Sequence, residues 1–261
     1  MNTVLLTKKD VYRGNLILVN SHWEYQETSK DSLLPVREGF PVLLQRRAVT
    51  LLSSLMEEIR GWNHIVPVSG YRSYEEQQEI WDGSLQENGR AFTEKFVALP
   101  RHSEHQTGLA IDLGLKQEKI DFICPDFPYS GICQRFRQRA GDYGFVERYP
   151  AGKEAVTGIG HEPWHFRYVG MPHGAIMSSL GLVLEEYLDF LKEYVYEERP
   201  YRYERAGAVI EVSYLPCTSE NVQLGMDEGI PYSFSGNNMD GYIITKWCLG
   251  GKGAVLGGVG A

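Results

Sequence analysis

The run from Ser103 to Asp112 carries the strongest chemical pattern in the sequence. His105 and Asp112 lie seven residues apart, and Gly108 stands between them. A loop that ends at Gly108 can bring the imidazole to the start of the strand that carries the carboxylate. Imidazole and carboxylate groups are both suitable ligands for Zn²⁺. The run therefore predicts two ligands of a metal site.

A second group of chemically active residues lies between positions 161 and 165. Pro163 favours an extended chain at Glu162, and His165 then stands at the start of a predicted strand. Together with His105 and Asp112, His165 completes a set of three ligands. Three protein ligands leave a fourth position for water, which is typical of a catalytic zinc site. Glu162 precedes His165 by three residues, so it can lie beside the metal as a general base.

The same residues also allow a plainer interpretation. A single histidine is more often a packed core or surface residue than a metal ligand, and spacing alone does not decide between the two. His102 and His161 stand next to candidate ligands, but adjacent residues of an extended chain point in opposite directions. The other histidines have no such neighbours, and no role is assigned to them: His22, His64 and His173.

Hydrophobic periodicity predicts the elements that must position these groups. Ser73 followed by Glu76 is a capping-box pattern and predicts the start of a helix. The predicted helices cover residues 43–59, 73–83, 91–99, 131–143 and 184–196. The predicted strands cover residues 16–19, 109–115, 145–149 and 164–169, and residues 65–68 are a short apolar run that leads into Gly70. The strand over 109–115 carries Asp112, and the strand over 164–169 carries His165.

The character of the chain changes after Pro200. Residues 201–215 and 242–247 alternate apolar with polar side chains, which favours short strands. We therefore expect a main domain over residues 1–199, a small β-rich appendage over 200–247 and a flexible glycine-rich tail over 248–261. The appendage is interpreted either as a stabilising addition or as a tyrosine-rich lid or partner surface.

Composition excludes several functional classes. The chain has 261 residues, with 26 Lys and Arg against 34 Asp and Glu, for a formal net charge of -8. This acidic balance argues against nucleic-acid binding, which depends on clustered cations. The first residues lack the pattern of a signal peptide, and no apolar run reaches the length of a membrane span. A cytoplasmic protein with four packed, reduced cysteines is expected: Cys124, Cys133, Cys217 and Cys248.

These motifs resemble those of a known enzyme family. The patterns Ser-x-His-x-x-Gly-x-Ala-x-Asp and Glu-x-x-His follow the segment Ser69-Gly70-Tyr71-Arg72. In this combination they are similar to the zinc D,D-peptidases of the VanY, VanX and LdcB group, the D-alanyl-D-alanine carboxypeptidases. The resemblance runs from about residue 11 to residue 247 and is strongest to the bifunctional VanXY branch of VanG-type clusters.

The resemblance implies a fold and a set of roles. The fold is α+β, with a small, mainly antiparallel sheet flanked by helices, as in Hedgehog and D,D-peptidase domains, and with a small C-terminal β-rich appendage. The implied ligands of one Zn²⁺ per chain are His105, Asp112 and His165, and the implied base is Glu162.

Further roles follow from the same resemblance. Arg72 would stabilise the developing oxyanion, since a fixed cation is needed beside it. Gln77 and Ser103 would hold the terminal carboxylate of the substrate, and Tyr71 and Trp164 would form walls of the pocket. A free substrate amine would need a further carboxylate, and Asp121 and Asp126 are candidates by charge alone.

The implied function is hydrolysis of D-Ala-D-Ala termini, in the free dipeptide or in the muramyl pentapeptide precursor. Removal of these precursors would give resistance to glycopeptides such as vancomycin. Three alternatives remain open: an L-Ala-D-Glu zinc endopeptidase, a domain that holds zinc without catalysis, and a binding module for D-Ala-terminated peptides. The oligomeric state is not predicted.

Overall fold

The computed structural model describes residues 2–27, 32–205 and 207–248. Its α-helices, in chain order, are α1 (Arg46–Glu58), α2 (Tyr74–Glu87), α3 (Arg90–Phe96), α4 (Gly131–Ala140), α5 (Glu154–Thr157), α6 (His173–Leu180) and α7 (Leu184–Leu191). Short 3-10 turns cover Lys8–Tyr12, Gly61–Asn63, Glu104–Thr107 and Gly141–Tyr143.

The strands form several antiparallel sheets. In chain order they are β1 (Asn2–Thr7), β2 (Leu33–Pro35), β3 (Leu43–Gln45), β4 (Ile65–Ser69), β5 (Ala110–Leu115), β6 (Phe145–Tyr149), β7 (Glu162–Tyr168), β8 (Tyr201–Arg205), β9 (Ala208–Pro216), β10 (Asn221–Met226), β11 (Tyr232–Gly236) and β12 (Gly241–Cys248).

The described residues form two compact units. One is Leu18–Tyr187, and the other joins the described residues of Met1–Ile17 to those of Leu188–Ala261. The N-terminal segment belongs to the second unit because β1 pairs along its whole length with β10. This division differs from the domain boundary expected at residue 200. The glycine-rich tail expected over 248–261 lies, from residue 249 on, outside the described residues.

The unit Leu18–Tyr187 is built on a sheet with the strand order β4-β5-β7-β6. Asp112 of β5 lies directly opposite His165 of β7, and Ile111 lies opposite Phe166. Since side chains alternate along a strand, Asp112 and His165 share one face while Ile111 and Phe166 share the other. The second pair belongs to an apolar core that also contains buried residues of α1 and α4. The α+β fold with a small antiparallel sheet and flanking helices is confirmed.

The second unit is mostly β-structure. It contains a sheet with the strand order β11-β12-β9-β8 and the pair β1-β10. Its core includes Leu6 and Val11 of the N-terminal segment and Tyr242 and Ile244 of β12. The region after residue 200 is therefore β-rich, as the alternating pattern predicts.

Several predicted elements differ from the structure. The helix predicted over 43–59 begins only at Arg46, because Leu43–Gln45 pair with β2 as strand β3. Residues 16–19 are buried, as their apolar character requires, but they form no strand. The helix predicted over 184–196 ends at Leu191. Beyond it, Tyr194 and Tyr196 bond instead through their backbones to Tyr214 of β9, which accounts for the early end. An apolar run thus predicts burial more securely than it predicts the type of element.

The described cysteines form no disulfide bond. All four cysteines are described and are free thiols. None of the helices in the described ranges combines the length and the apolar content needed to cross a bilayer.

Candidate active site

Two turns bring the predicted ligands together. His105 lies in the 3-10 turn Glu104–Thr107, and Gly108 follows it with a φ of 68°. A side chain at this left-handed position would be strained, so glycine lets the chain turn into β5. Asp112 then lies on the face of β5 that His165 of β7 also occupies. All three side chains are buried.

The three side chains meet at one point. His105 Nε2 lies 3.2 Å from Asp112 Oδ2, and His165 Nδ1 lies 3.0 Å from Asp112 Oδ1. One ligand atom from each residue lies within 4.8 Å of the others. Donors bound to one ion at about 2.0–2.1 Å in tetrahedral geometry lie about 3.3 Å apart. The observed spacing therefore suits a small divalent cation.

Hydrogen bonds to the ligands support the same interpretation. His105 Nδ1 lies 2.6 Å from the carbonyl oxygen of Gly70, which can only accept, so Nδ1 donates and the lone pair remains on Nε2. Asp112 Oδ1 is buried and has no hydrogen-bond partner among the described residues. A buried carboxylate oxygen without a donor is costly, and a metal ion would satisfy it.

The segment before Arg72 is shaped by close backbone packing. A Cβ atom on Gly70 would lie 2.3 Å from the carbonyl oxygen of Leu43, so only glycine fits here. Tyr71 N donates to the same carbonyl, and Arg72 N donates to the carbonyl of His105. These contacts bind the segment to the turn that carries His105.

Burial and neighbouring charges shift the pKa values of the two histidines of the cluster in opposite directions. Burial and the nearby guanidinium of Arg72 lower the pKa of His105 to about 4. Burial also opposes charge on His165, but the nearby carboxylates of Asp112 and Glu104 outweigh it and raise its pKa to about 9. Burial opposes charge on Asp112 as well, yet the two histidines hold its pKa far below the usual range. Asp112 is therefore ionised and supplies a negative charge to the cluster.

Glu162 lies at the start of β7, opposite Tyr149 of β6. Its Oε2 is 3.6 Å from His165 Nδ1, so the carboxylate stands beside the cluster. Burial raises the pKa of Glu162 to about 8, and the negative charge of Asp112 acts in the same direction against the opposing charge of His165. Burial thus moves the pKa of Glu162 close to neutral pH, the range in which a carboxyl group both accepts and returns a proton.

Arg72 is held in place by three side chains. Its Nη2 donates to Asp112 Oδ2 at 2.9 Å, and its Nε donates to Ser69 Oγ at 2.8 Å. Nη1 lies 3.4 Å from Gln77 Oε1. The ring of Phe122 lies 5.6 Å from the guanidinium carbon and is 49% exposed. Arg72 is therefore a fixed cation next to the cluster.

One cavity contains most of the residues that the sequence predicts. Besides the cluster, its lining includes Glu162, Arg72, Gln77, Ser103 and Trp164. The Gln77 side chain donates from Nε2 to the carbonyl oxygen of Ala98, which fixes its amide. Trp164 belongs to the apolar core and lies where that core meets the cavity.

Tyr71 differs from the expectation that it forms a wall of this cavity. Its side chain lines a neighbouring cavity with residues such as Gln45 and Thr107. Both Tyr71 and Arg72 line a further cavity, but only Arg72 also lines the cavity of the metal cluster.

The carboxylates considered for amine recognition also lie elsewhere. Asp121 Oδ1 accepts hydrogen bonds from the backbone N–H groups of Ile123 and Cys124, which stabilise a turn. Neither Asp121 nor Asp126 is among the residues that line the cavity.

The structure adds buried charges that the sequence analysis missed. Glu104, immediately before His105, lies 2.8 Å from Arg148 Nε and 2.8 Å from Arg167 Nη1 through its Oε1. The arginines lie in β6 and β7 and are fully buried. A charged residue inside an otherwise apolar strand is the signal that could have indicated them, because buried charges are rare unless they are paired.

Comparisons with known proteins identify the family. Residues 42–171 match the VanY family, D-alanyl-D-alanine carboxypeptidase. The chain is 54% identical over 129 residues to the bifunctional D-Ala-D-Ala dipeptidase and D-Ala-D-Ala carboxypeptidase VanXYC of Enterococcus gallinarum. That alignment covers 49% of this chain and 68% of the relative. The chain belongs to the VanY family.

Solved structures extend the likeness to almost the whole chain. The vancomycin resistance D,D-dipeptidase VanXYg, in complex with a D-Ala-D-Ala phosphinate analog, is 51% identical with a TM-score of 0.92. The match covers 94% of this chain and 98% of that one. A mutant of the D,D-pentapeptidase VanY from the VanB-type resistance cassette, in complex with Zn(II), is 32% identical with a TM-score of 0.56. That match covers 67% of this chain and 98% of the VanY chain.

These matches confirm the predicted enzyme family. The resemblance to the VanY group, and within it to the VanXY branch, is confirmed. The prediction that the chain is an enzyme of a peptidase family is confirmed as well.

Proposed function

We propose that this protein is a zinc-dependent D,D-peptidase that releases D-alanine from D-Ala-D-Ala termini. The observation that carries the proposal is the meeting of His105, Asp112 and His165 in one cavity with Glu162 and Arg72. A structural zinc site needs neither a general base nor an additional cation, so this set of residues favours catalysis.

The roles of the side chains follow from their positions. The chemistry that bound Zn²⁺ supplies here is polarisation of the scissile carbonyl and activation of water. Glu162 accepts the proton of the attacking water and returns it to the amine of the departing D-alanine. Arg72 shares the negative charge that develops on the carbonyl oxygen. One zinc ion per chain meets the requirements of the three donors.

The substrate carboxylate is assigned to the Arg72 side of the cavity. Gln77 and Ser103 line the same cavity and are both buried, so their polar groups are desolvated and fixed. One hydrogen of the Gln77 amide is used by Ala98 O, which leaves the other for a ligand. Trp164 supplies an apolar wall. Tyr71, in the neighbouring cavity, has no part in this proposal.

The biological role follows from the substrate. Relatives named as vancomycin resistance enzymes act on D,D-peptides, and the same role is proposed here. The substrates are the free dipeptide, the muramyl pentapeptide precursor, or both, and the reaction takes place in the cytoplasm. Removal of D-Ala-ending precursors leaves room for precursors that the antibiotic binds poorly.

The test is an assay of D-alanine release. The purified chain, with its zinc content measured, is incubated with D-Ala-D-Ala, with D-Ala-D-Ser and with the pentapeptide, and L-Ala-D-Glu is included as the rival substrate. Release of D-alanine from the dipeptide or the pentapeptide is expected. Cleavage of L-Ala-D-Glu alone, or binding without release, would overturn the proposal.

A further inference from the structure

A network of buried charges lies behind the metal cluster. Glu104 contacts Arg148 and Arg167, and the far end of Arg148 makes two hydrogen bonds to Glu185 at 2.8 Å and 2.6 Å. The side chains of Glu104, Arg148 and Arg167 are fully buried. Two anions and two cations balance within the network.

The two oxygens of Glu104 have different surroundings. Both arginines approach Oε1, each at 2.8 Å. Oε2 instead faces Nε2 of His165 at 3.6 Å. Glu104 Oε2 and His165 Nε2 are both buried, and neither has a hydrogen-bond partner among the described residues. The arginines therefore leave one oxygen of the carboxylate available to the imidazole.

The other histidine of the cluster has an equivalent arrangement. The nitrogen of His105 that faces away from the cluster donates to the carbonyl oxygen of Gly70 at 2.6 Å. Histidines that bind metals commonly donate their second ring N–H to a carbonyl or carboxylate group, which fixes the tautomer and the ring orientation. Glu104 Oε2 occupies the corresponding position beside Nε2 of His165.

We propose that Glu104 is a positioning residue for the metal site. It orients His165 by accepting a hydrogen bond from Nε2, so that the lone pair of Nδ1 points toward Asp112. This inference rests on the zinc site of the proposed function. Glu104 does not touch the substrate or the metal, and it acts through His165.

The strand geometry explains why the network is built this way. His165 and Arg167 are two residues apart in β7, so their side chains lie on the same face of the sheet. Arg167 therefore lies on the face of the sheet that carries His165. Arg167 and Arg148 of β6 both bind Oε1 of Glu104 and hold the carboxylate in place. Buried ion pairs add little net stability compared with apolar packing. The ion pairs of Glu104 are explained instead by the need to orient His165.

The experiment compares two substitutions of the same kind. In Glu104→Gln the amide oxygen turns to the arginines, which only donate, so the amide NH₂ faces the N–H of His165. In Glu185→Gln the same change is made at the far end of Arg148, away from the cluster. Glu104→Gln combined with Arg167→Met removes one anion and one cation, which keeps the buried charge balanced if the single variant folds poorly.

The readouts are zinc affinity, measured by competition with a chelator, and the visible absorption spectrum of the cobalt-substituted protein. Glu104→Gln and the double variant are expected to bind zinc about 10- to 100-fold more weakly and to show an altered cobalt spectrum. Glu185→Gln should match the wild-type protein in both. Wild-type affinity in a Glu104 variant, or an equal loss in Glu185→Gln, would overturn the inference.

A measurement on the unsubstituted protein avoids any dependence on variants. In the zinc-loaded chain labelled with ¹⁵N-histidine, the Nε2 proton of His165 is expected to be shifted downfield and protected from exchange with water. An unshifted or rapidly exchanging proton would contradict the role of Glu104. A chain that binds no zinc at all would instead contradict the proposed function, so the two failures are distinguishable.

Discussion

The two faces of the sheet β4-β5-β7-β6 are equally buried but are stabilised in different ways. On one face Ile111 and Phe166 are fully buried in the apolar core. On the other face Asp112 and His165, each the direct neighbour of one of these residues, are only 3% and 4% exposed. Apolar burial stabilises the first face, whereas the second requires paired charges and hydrogen bonds. The alternation of side chains along β5 and β7 thus places apolar residues in the core and the candidate metal ligands on the opposite face.

The largest expected effect comes from the polar face. Glu162→Gln should lower kcat by about 10²- to 10⁴-fold, because the proton acceptor is lost. Zinc content should not change, since Glu162 lies outside the set of three ligands. The unfolding free energy of the zinc-free variant should equal or exceed that of the wild-type protein, because burial of the charged carboxylate is unfavourable. Steady-state kinetics, metal analysis and denaturant titration test the three points, and wild-type turnover would contradict the assignment.

A substitution on the apolar face should lower stability and leave kcat unchanged. Leu113→Ala, one position after Asp112, is expected to lower the unfolding free energy by about 2–5 kcal/mol. The kcat of the folded protein should stay near the wild-type value, because the side chain points into the core. Denaturant unfolding and kinetics of the same preparation measure both. A large loss of kcat with little loss of stability would show that the two faces are not separate.

A buried histidine outside the cluster gives a test of pH dependence. His173 of α6 bonds to the hydroxyl group of Tyr187 at 2.8 Å, and burial lowers its pKa to about 3. In the unfolded chain the pKa of His173 has its ordinary value of about 6.5. The contribution of the neutral His173 to the unfolding free energy is therefore complete above pH 6.5 and is lost as the pH falls toward 3.

The comparison is with His173→Gln. Between pH 8 and pH 5 the zinc-free wild-type protein should lose about 2 kcal/mol more unfolding free energy than the variant, at about 1.4 kcal/mol per pH unit below 6.5. Denaturant titrations at the two pH values measure this difference. Equal losses in both proteins would show that His173 does not contribute.

The smallest expected effect concerns the start of α2, which carries Gln77. Ser73 accepts a hydrogen bond from Glu76 N, and the Glu76 side chain accepts from Ser73 N, which completes a capping box. Ser73→Ala should lower the unfolding free energy by about 1 kcal/mol. The control is Ser54→Ala within α1, whose hydroxyl group donates to Thr50 O and caps nothing. That change should be close to neutral, and equal losses in the two variants would contradict the cap.

The sequence predicted the regular part of the site well. Strands β5 and β7 carry alternating apolar and polar residues, so both the strands and the side chains they share could be predicted from periodicity. The capped start of α2 has a local signature as well. The spacing of Glu162 from His165 suggested a general base but left other interpretations open, whereas the role of Arg72 came only from the resemblance to known enzymes.

The missing parts depend on tertiary contacts. Residues 16–19 are apolar because they are buried, but Leu16 donates its backbone N–H to the side chain of Ser235 and not to the backbone of a neighbouring strand. Glu104 could not be assigned to the interior, because its burial depends on arginines 44 and 63 residues further along the chain. The pairing of the N-terminal β1 with β10 is equally remote in sequence. Local patterns carry no information about such partners.

The most direct test of the central claim is a zinc titration of the metal-free protein while D-alanine release from D-Ala-D-Ala is measured. Activity should rise linearly to one zinc ion per chain and then remain constant, and Asp112→Ala should show no such rise. Activity that is independent of added zinc, or an unchanged titration in Asp112→Ala, would contradict the account.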